Sequence, residues 1–492
     1  MKKFMNTLKN IIKNYHPPKY VIFSIFIILI LLAFYKTKEF DNDTWFLLNH
    51  GRYVFEHGIP HIEPFTIHEG FKFVMQQWLT SSIFWILYSK IGILGLQLFV
   101  AVIFAITIYF LYKLCMLVSK QKFYLSSAIT IITCSLLLIQ TVLRPQLFDI
   151  LILVMELYFL ELYVRKEKNK YLIALPILSF LLINLHASMW FMLVAFIIPY
   201  IIDSFNLNLL FIKGTGYKKT PLFIALLLVI LAGFINPYGL DSITYVFRSY
   251  GVGIINEMVE EMNSLSLSTL IGKIEILLMF LTILICIFYK KSRIKLRYLL
   301  LYLGVAYLGL LQNRNFSIFL IGSMFCMSEF LSPSFKEYVR KYKSNQQHIN
   351  IIYIFVCICL IVYSTFIFNN ISFETKVEVK NAVDYIVNNY DVTTSKVYTS
   401  YNDGGYAEFK GLSCYIDPRA ELFLRANNKK ENILLEYYKL QYLNDNGVPF
   451  LAKYNFDLLI LDKWDNLKNY KDKNYKLVYK DENREVYELK KE

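Results

Sequence analysis

Apolar runs of about 16–25 residues recur along the chain, separated by short polar segments, and a run of that length spans a bilayer as a helix. The pattern predicts eleven membrane spans, over 20–35, 93–118, 123–143, 147–164, 171–185, 187–202, 220–235, 273–289, 296–311, 316–331 and 349–368. Taking the N-terminus as cytoplasmic, alternate loops collect the basic residues: Lys120/Lys122, then Arg165/Lys166/Lys168/Lys170, then Lys213/Lys218/Lys219. Lys290/Lys291/Arg293/Lys295/Arg297 and Lys336/Arg340/Lys341/Lys343 complete the series. The short loops of opposite phase carry almost none, so the positive-inside rule places the C-terminal region outside the cell. Lys2, Lys3, Lys9, Lys13 and Lys19 before the first run imitate a signal peptide. No small-residue cleavage site follows, because the chain continues Tyr35-Lys36-Thr37-Lys38, so the run reads as an uncleaved span.

Two regions depart from this rhythm. The first external loop, about 36–92, contains a short helix-like segment from His50 to His57 and an apolar stretch from Leu79 to Lys90. That stretch is too short to cross a bilayer and predicts an interfacial or half-inserted helix. Long loops with elements of their own are often functional. Beyond residue 368 the runs alternate between helix-like (376–390, 430–443) and strand-like (Lys396–Ser400, Cys414–Asp417, Phe456–Asp462), and Tyr475–Tyr479 with Glu485–Leu489 reads as a hairpin. The expected architecture is a polytopic all-α transmembrane domain over 1–368 and an extracytoplasmic α/β domain over 369–492.

Composition agrees. Of 492 residues 56% are hydrophobic and only 18% charged, against roughly 25% charged in ordinary soluble domains. The net charge of +14 would suggest nucleic acid, but its location in alternate loops assigns it to membrane topology, and no nucleic-acid partner is expected. The seven cysteines form no CxxC or Cys/His zinc spacing, and no Walker, nucleophile-elbow or Gly-rich phosphate motif occurs.

Candidate chemistry gathers at the external ends of the spans. Asp41-Asn42-Asp43-Thr44-Trp45 puts two carboxylates just outside the bilayer, able to accept a proton or, with water and phosphate, to hold Mg²⁺ or Mn²⁺. The same tripeptide is also good turn chemistry after a helix. Arg144-Pro145-Gln146 and Asn313-Arg314-Asn315 are isolated cations in loops otherwise lacking them, suited to an anion such as a lipid-linked phosphate, or else snorkelling anchors. His186 sits in a hinge after Ile183-Asn184-Leu185. Asn236-Pro237-Tyr238-Gly239 reads as a helix stop opening a loop with Glu257, Glu260 and Glu261, which could line a substrate entrance. His50, His57, His61 and His68 read as surface histidines rather than a metal site. Asn402-Asp403-Gly404-Gly405 and Asp417-Pro418-Arg419 stand at predicted strand ends.

Taken together, Asp41-Asn-Asp-Thr-Trp45, Gly51-Arg52, Gly58-Ile-Pro60, Glu63-Pro-Phe-Thr66 and Gln77-Trp-Leu79 resemble bacterial multi-spanning members of the GT-C glycosyltransferase superfamily. Arg144-Pro-Gln146, Asn184-Leu-His186, Asn236-Pro-Tyr-Gly239, Asp403-Gly-Gly405 and Asp417-Pro-Arg419 extend the likeness over nearly the whole chain. Phe46 and Gln77 depart from the residues expected there. The resemblance implies transfer of a sugar from a polyprenyl-phosphate carrier to an acceptor (lipid, glycan or protein) in the cell envelope, at the membrane's outer face. Asp43, or Asp41, would act on the acceptor, Arg144 and Arg314 would clamp the donor phosphate, and Trp45, Arg52, Glu63, His186 and Glu257 would shape the pocket. Two other classes stay open. A transporter or flippase of a lipid-linked glycan would use Asp149, Glu156 and Glu161 within one span, and a non-catalytic scaffold would bind envelope polymer.

Overall fold

The computed structural model describes residues 19–37, 40–209, 212–249, 252–288, 294–341, 377–443, 445–471 and 474–490. Every expected span through 316–331 coincides with a helix, and the expected span 349–368 and the division at 368/369 lie outside the described residues. In chain order the helices are α1 (Lys19–Lys36), α2 (Asn42–His57), α3 (Trp78–Ile91), α4 (Ile93–Val118), α5 (Phe123–Leu137), α6 (Gln146–Lys166), α7 (Ala174–Leu185) and α8 (Phe191–Asp203). Then come α9 (Thr220–Gly233), α10 (Leu240–Ser249), α11 (Gly253–Met258), α12 (Leu270–Phe288), α13 (Leu296–Leu311) and α14 (Phe316–Lys341).

Four helices among the described residues, Lys19–Lys36, Ile93–Val118, Phe123–Gln140 and Asn313–Ser332, are long and apolar enough to cross a membrane; several shorter ones are equally apolar. Ile27, Leu31, Leu98, Val102, Leu227, Leu231, Phe280 and Leu303 are exposed on the bundle surface. Water would penalise an apolar surface of that extent, whereas lipid chains accept it. This is a membrane protein. Helix α6 runs through the middle of the bundle, with Asp149, Glu156 and Glu161 all buried.

At the end of the bundle away from the candidate chemistry, three two-residue strands, β1 (Asn208–Leu209), β2 (Ile212–Lys213) and β3 (Ile294–Lys295), make a small sheet that the sequence pattern does not reveal. Beside it, Arg297 is fully buried and pairs with Glu161 (2.8 Å) and Asp203 (2.8 Å). Arg165 reaches Glu161 and Glu329 (3.2 Å each), and Lys295 reaches Glu329 at 2.7 Å. Several loop cations that sequence treats as topology markers are therefore structural ion pairs joining α6, α8, α13 and α14.

In the first loop one expectation changes and the other helix is found where expected. Residues 50–57 are the second half of the longer α2, which begins at Asn42 with Asp41 as its N-cap. The stretch 79–90 is a helix, α3, packed along α2 so closely that a Cβ on Gly51 would lie 2.0 Å from the Ser81 carbonyl oxygen. Gly51→Ala is accordingly expected to cost about 1–3 kcal/mol through overpacking, read as a lowered midpoint in detergent unfolding.

The C-terminal part contains a five-stranded sheet of β4 (Lys396–Tyr398), β5 (Ser413–Cys414), β6 (Leu458–Leu461), β7 (Tyr475–Lys480) and β8 (Glu485–Leu489), in the order β5-β4-β6-β8-β7. Strands β4, β5 and β6 are parallel, while β8 and β7 form the expected hairpin. Gly404-Gly405 starts a short helix over Gly404–Phe409 rather than forming a free turn. Its lack of side chains permits contact: a Cβ on Gly404 would lie 2.1 Å from the Ile416 carbonyl oxygen, and one on Gly405 2.9 Å from that of Asn42. The helix thus rests directly on the start of α2.

Candidate functional site

A cleft of about 760 Å³ opens where the helix ends meet the C-terminal sheet. Its walls come from distant parts of the chain: the start of α2, the residues before α3 and α6, the α7–α8 hinge, the turn before α14, residues 245–249 and 255–262, and the loops at the carboxyl ends of β4 and β5. Ligands commonly bind at the carboxyl ends of parallel strands.

Asp41, Asp43 and Arg144 meet there. Asp41 caps α2, one carboxylate oxygen accepting from the Thr44 amide (2.9 Å) and hydroxyl (2.7 Å). Its other oxygen accepts from Arg144 Nε at 2.6 Å. The helix-cap reading and the functional reading of this residue therefore both apply. Arg144 Nη1 also lies 3.1 Å from Asp43 Oδ2 and 3.0 Å from Glu261 Oε2. Burial pushes the Asp43 carboxyl up to about 8; Arg144 opposes this, while Asp41, Glu261 and Glu421 add to it. A carboxylate with a proton affinity near the operating pH suits general base chemistry.

The same geometry tests the expected Mg²⁺ or Mn²⁺ site. The Arg144 guanidinium stands among the three carboxylates that would surround a cation, and both oxygens of Asp41 are already engaged. Among the described residues no three His, Cys, Asp or Glu side chains converge on a metal position. The donor set as arranged fits a guanidinium, not a divalent ion.

Arg314 lies in the short turn Asn313–Asn315 and lines the cleft, its Nη1 donating to Met262 Sδ at 3.2 Å. Among the described residues it forms no ion pair with a carboxylate, unlike the other arginines of the cleft. His186 caps α7 and is held on both sides: Nδ1 is 2.7 Å from Asp149 Oδ2, and Nε2 is 2.8 Å from Ser188 Oγ.

The remaining expected pocket residues lie elsewhere. Trp45 packs edge-on against Phe40 and Tyr406, and Arg52 bonds Asn49 and the Phe409 carbonyl while stacking on the Phe409 ring. Both tie α2 to the C-terminal part. Glu63 is buried beneath the cleft wall, accepting from Phe65 N, Thr66 N and Arg419 Nη2. Glu257 is exposed on α11 and bonds Tyr438; the member of its acidic cluster that reaches Arg144 is Glu261. Asn236 and Gly239 make the turn expected of them.

Arg419, noted in the sequence at a strand end, lines the cleft, and other lining residues escaped sequence reading: His50, which is buried rather than on the surface, Ser188, Tyr401 and Glu421. Arg419 is enclosed by Asp417, Glu63 and Glu408 and donates to His50 Nε2 at 3.2 Å. Its position after Asp417-Pro418 at a strand end was the available signal.

No family model and no curated protein matches the sequence. Solved structures do. The oligosaccharyltransferase of Archaeoglobus fulgidus, tethered to an acceptor peptide, aligns with TM-score 0.58 at 12% identity over 96% of this chain and 74% of its own. The same enzyme complexed with zinc and sulfate aligns with TM-score 0.55 at 11% identity, over 94% of this chain and 73% of its own. The chain shares its fold with this membrane enzyme. At this identity the likeness concerns architecture, and the chemistry must come from the cleft.

Proposed function

We propose that this protein is an integral-membrane glycosyltransferase of the GT-C kind that moves a sugar from a polyprenyl-phosphate carrier to an acceptor hydroxyl, with inversion, at the outer face of the membrane in envelope glycan or glycolipid assembly. The observation that carries the proposal is the division of charge in one cleft: Asp43 is a carboxylate of raised proton affinity, and Arg314 is a cation with no carboxylate within ion-pair distance among the described residues, Asp149 acting on it only through space. The first suits an acceptor hydroxyl and the second a phosphate leaving group. In a direct displacement the acceptor oxygen attacks the anomeric carbon, its proton passes to Asp43, and the bond to phosphate breaks with its electron pair on the phosphate oxygen.

The cleft lies at the ends of apolar helices, within reach of a lipid-anchored donor. Arg144 has a different part. Saturated by Asp41, Asp43 and Glu261, it holds the acceptor-side carboxylates in place. A catalytic Mg²⁺ or Mn²⁺ would require that guanidinium to withdraw.

Mass spectrometry of lipids retained by the purified protein tests the donor reading. Wild type should carry a polyprenyl phosphate, with or without a sugar, and Arg314→Ala should lose it. Ordinary phospholipids alone in both proteins would remove the donor assignment. A flippase reading draws on Asp149, Glu156 and Glu161, but Asp149 is bonded to His186 and Glu161 to Arg297.

A further inference from the structure

Among the described residues, the arginines lining the cleft divide into two kinds. Arg144 and Arg419 are each surrounded by three carboxylates, whereas Arg314 has none in ion-pair range. The donor's phosphate is a diester, and it becomes a monoester with a second negative charge as the bond to the sugar breaks, so the subsite must meet charge that grows during the reaction. His186 is the other group in the cleft placed to supply positive charge.

Its setting is a built one. Asp149 is buried at the first turn of α6 and its Oδ2 lies 2.7 Å from His186 Nδ1, which orients the ring. Nε2 then points to Ser188 Oγ, and both His186 and Ser188 line the cleft. Asp149 and Arg314 also line one water-sized recess just beneath it, together with Gln146, so the relay and the arginine share a wall. The further charges facing the cleft are Asp41, Asp43, Arg144, Glu261, Arg419, Glu421 and the buried His50. Each acid of the Asp41, Asp43 and Glu261 group is already matched to Arg144.

We infer that Asp149–His186–Ser188 is a proton relay which, with Arg314, forms the subsite for the donor's phosphate, and that His186 protonates the departing phosphate oxygen. This rests on the polyprenyl-phosphate reading above. As the bond from the anomeric carbon to phosphate breaks, its electron pair stays on the phosphate oxygen, and His186 Nε2–H delivers a proton there, directly or through the Ser188 hydroxyl. The acceptor's proton goes separately to Asp43. His186 regains its proton from solvent between turnovers. Arginine could stabilise the anion but could not donate, so the histidine supplies something a second arginine would not.

The test uses the full chain in lipid nanodiscs with undecaprenyl phosphate as the probe, and phosphatidylglycerol, a diester that needs no proton, as the comparison lipid. Histidine changes charge between about pH 5 and 8, so binding is measured at each end of that window. Wild type should hold undecaprenyl phosphate about tenfold more tightly than His186→Gln at the acid end, with the gap closing at the alkaline end. Phosphatidylglycerol should not distinguish the two proteins. In ¹⁵N-histidine spectra the resonance that vanishes in His186→Gln should move to imidazolium values on adding the probe, and Asp149→Asn should weaken that move. Equal affinity of wild type and His186→Gln at both ends, with the probe bound, would overturn the relay and leave the donor reading standing. No retention of the probe above phosphatidylglycerol by wild type would overturn both.

Discussion

Asp43→Asn is expected to lower sugar transfer by about 10²–10⁴-fold, the range for loss of a general base. Asparagine keeps the size of the side chain but cannot take a proton. The loss should fall on kcat, because Arg144 retains Asp41 and Glu261 as partners and the cleft keeps its shape. The pH profile supplies the second arm. Burial raises the Asp43 carboxyl to about 8, so the base form gains population as pH rises through that region, and transfer by wild type should climb with it. The residual activity of Asp43→Asn should lack this rise. A folded Asp43→Asn protein with undiminished transfer would remove the carboxylate from the reaction. A transporter would tolerate the substitution.

Arg419→Ala is expected to destabilise the protein by about 3–5 kcal/mol, because it strands buried carboxylates that share one guanidinium. Glu63, Glu408 and Asp417 all lie against Arg419, with the carboxyl side chains fully buried. The knot fastens the loop between α2 and α3 to the end of β5, where Ile67 N also donates to the Cys414 carbonyl (3.0 Å) and His68 Nε2 meets that of Tyr415 (2.8 Å). Chemical unfolding in detergent measures the loss. Burial, reinforced by Asp417, pushes the Glu408 carboxyl well above the usual carboxylate range. A carboxyl that binds its proton more tightly folded than unfolded stabilises the fold at low pH, and this contribution declines as pH rises above the unfolded value. Stability should therefore fall with rising pH from about 4.3 upward, and Glu408→Gln should flatten the dependence. A flat profile in wild type would mean that Glu408 is ionised beside Arg419.

The helices were largely legible because a membrane imposes a length and an apolar composition that can be counted along the chain. Runs such as 93–118 and 296–311 coincide with their helices at both ends. The β7–β8 hairpin was equally plain, since alternation and a polar turn are local properties. Charge was read less well. Arg297 and Arg165 sit where topology wants cations, yet their burial against Glu161, Asp203 and Glu329 depends on residues brought from other helices.

At the cleft, the sequence by itself singled out Asp41, Asp43, Arg144, Arg314 and His186, because isolated polar residues at span ends are conspicuous against an apolar background. Only the tertiary structure decided what each of them faces. Arg144 turned to three carboxylates, Glu261 rather than Glu257 entered the cluster, and Trp45 packed away from the cleft. Asp149 found His186 across 37 residues, and the loops after β4 and β5 closed the wall from a distant part of the chain. An ion pair requires contact within about 4 Å, and no spacing along a chain of separate helices encodes which ends will meet.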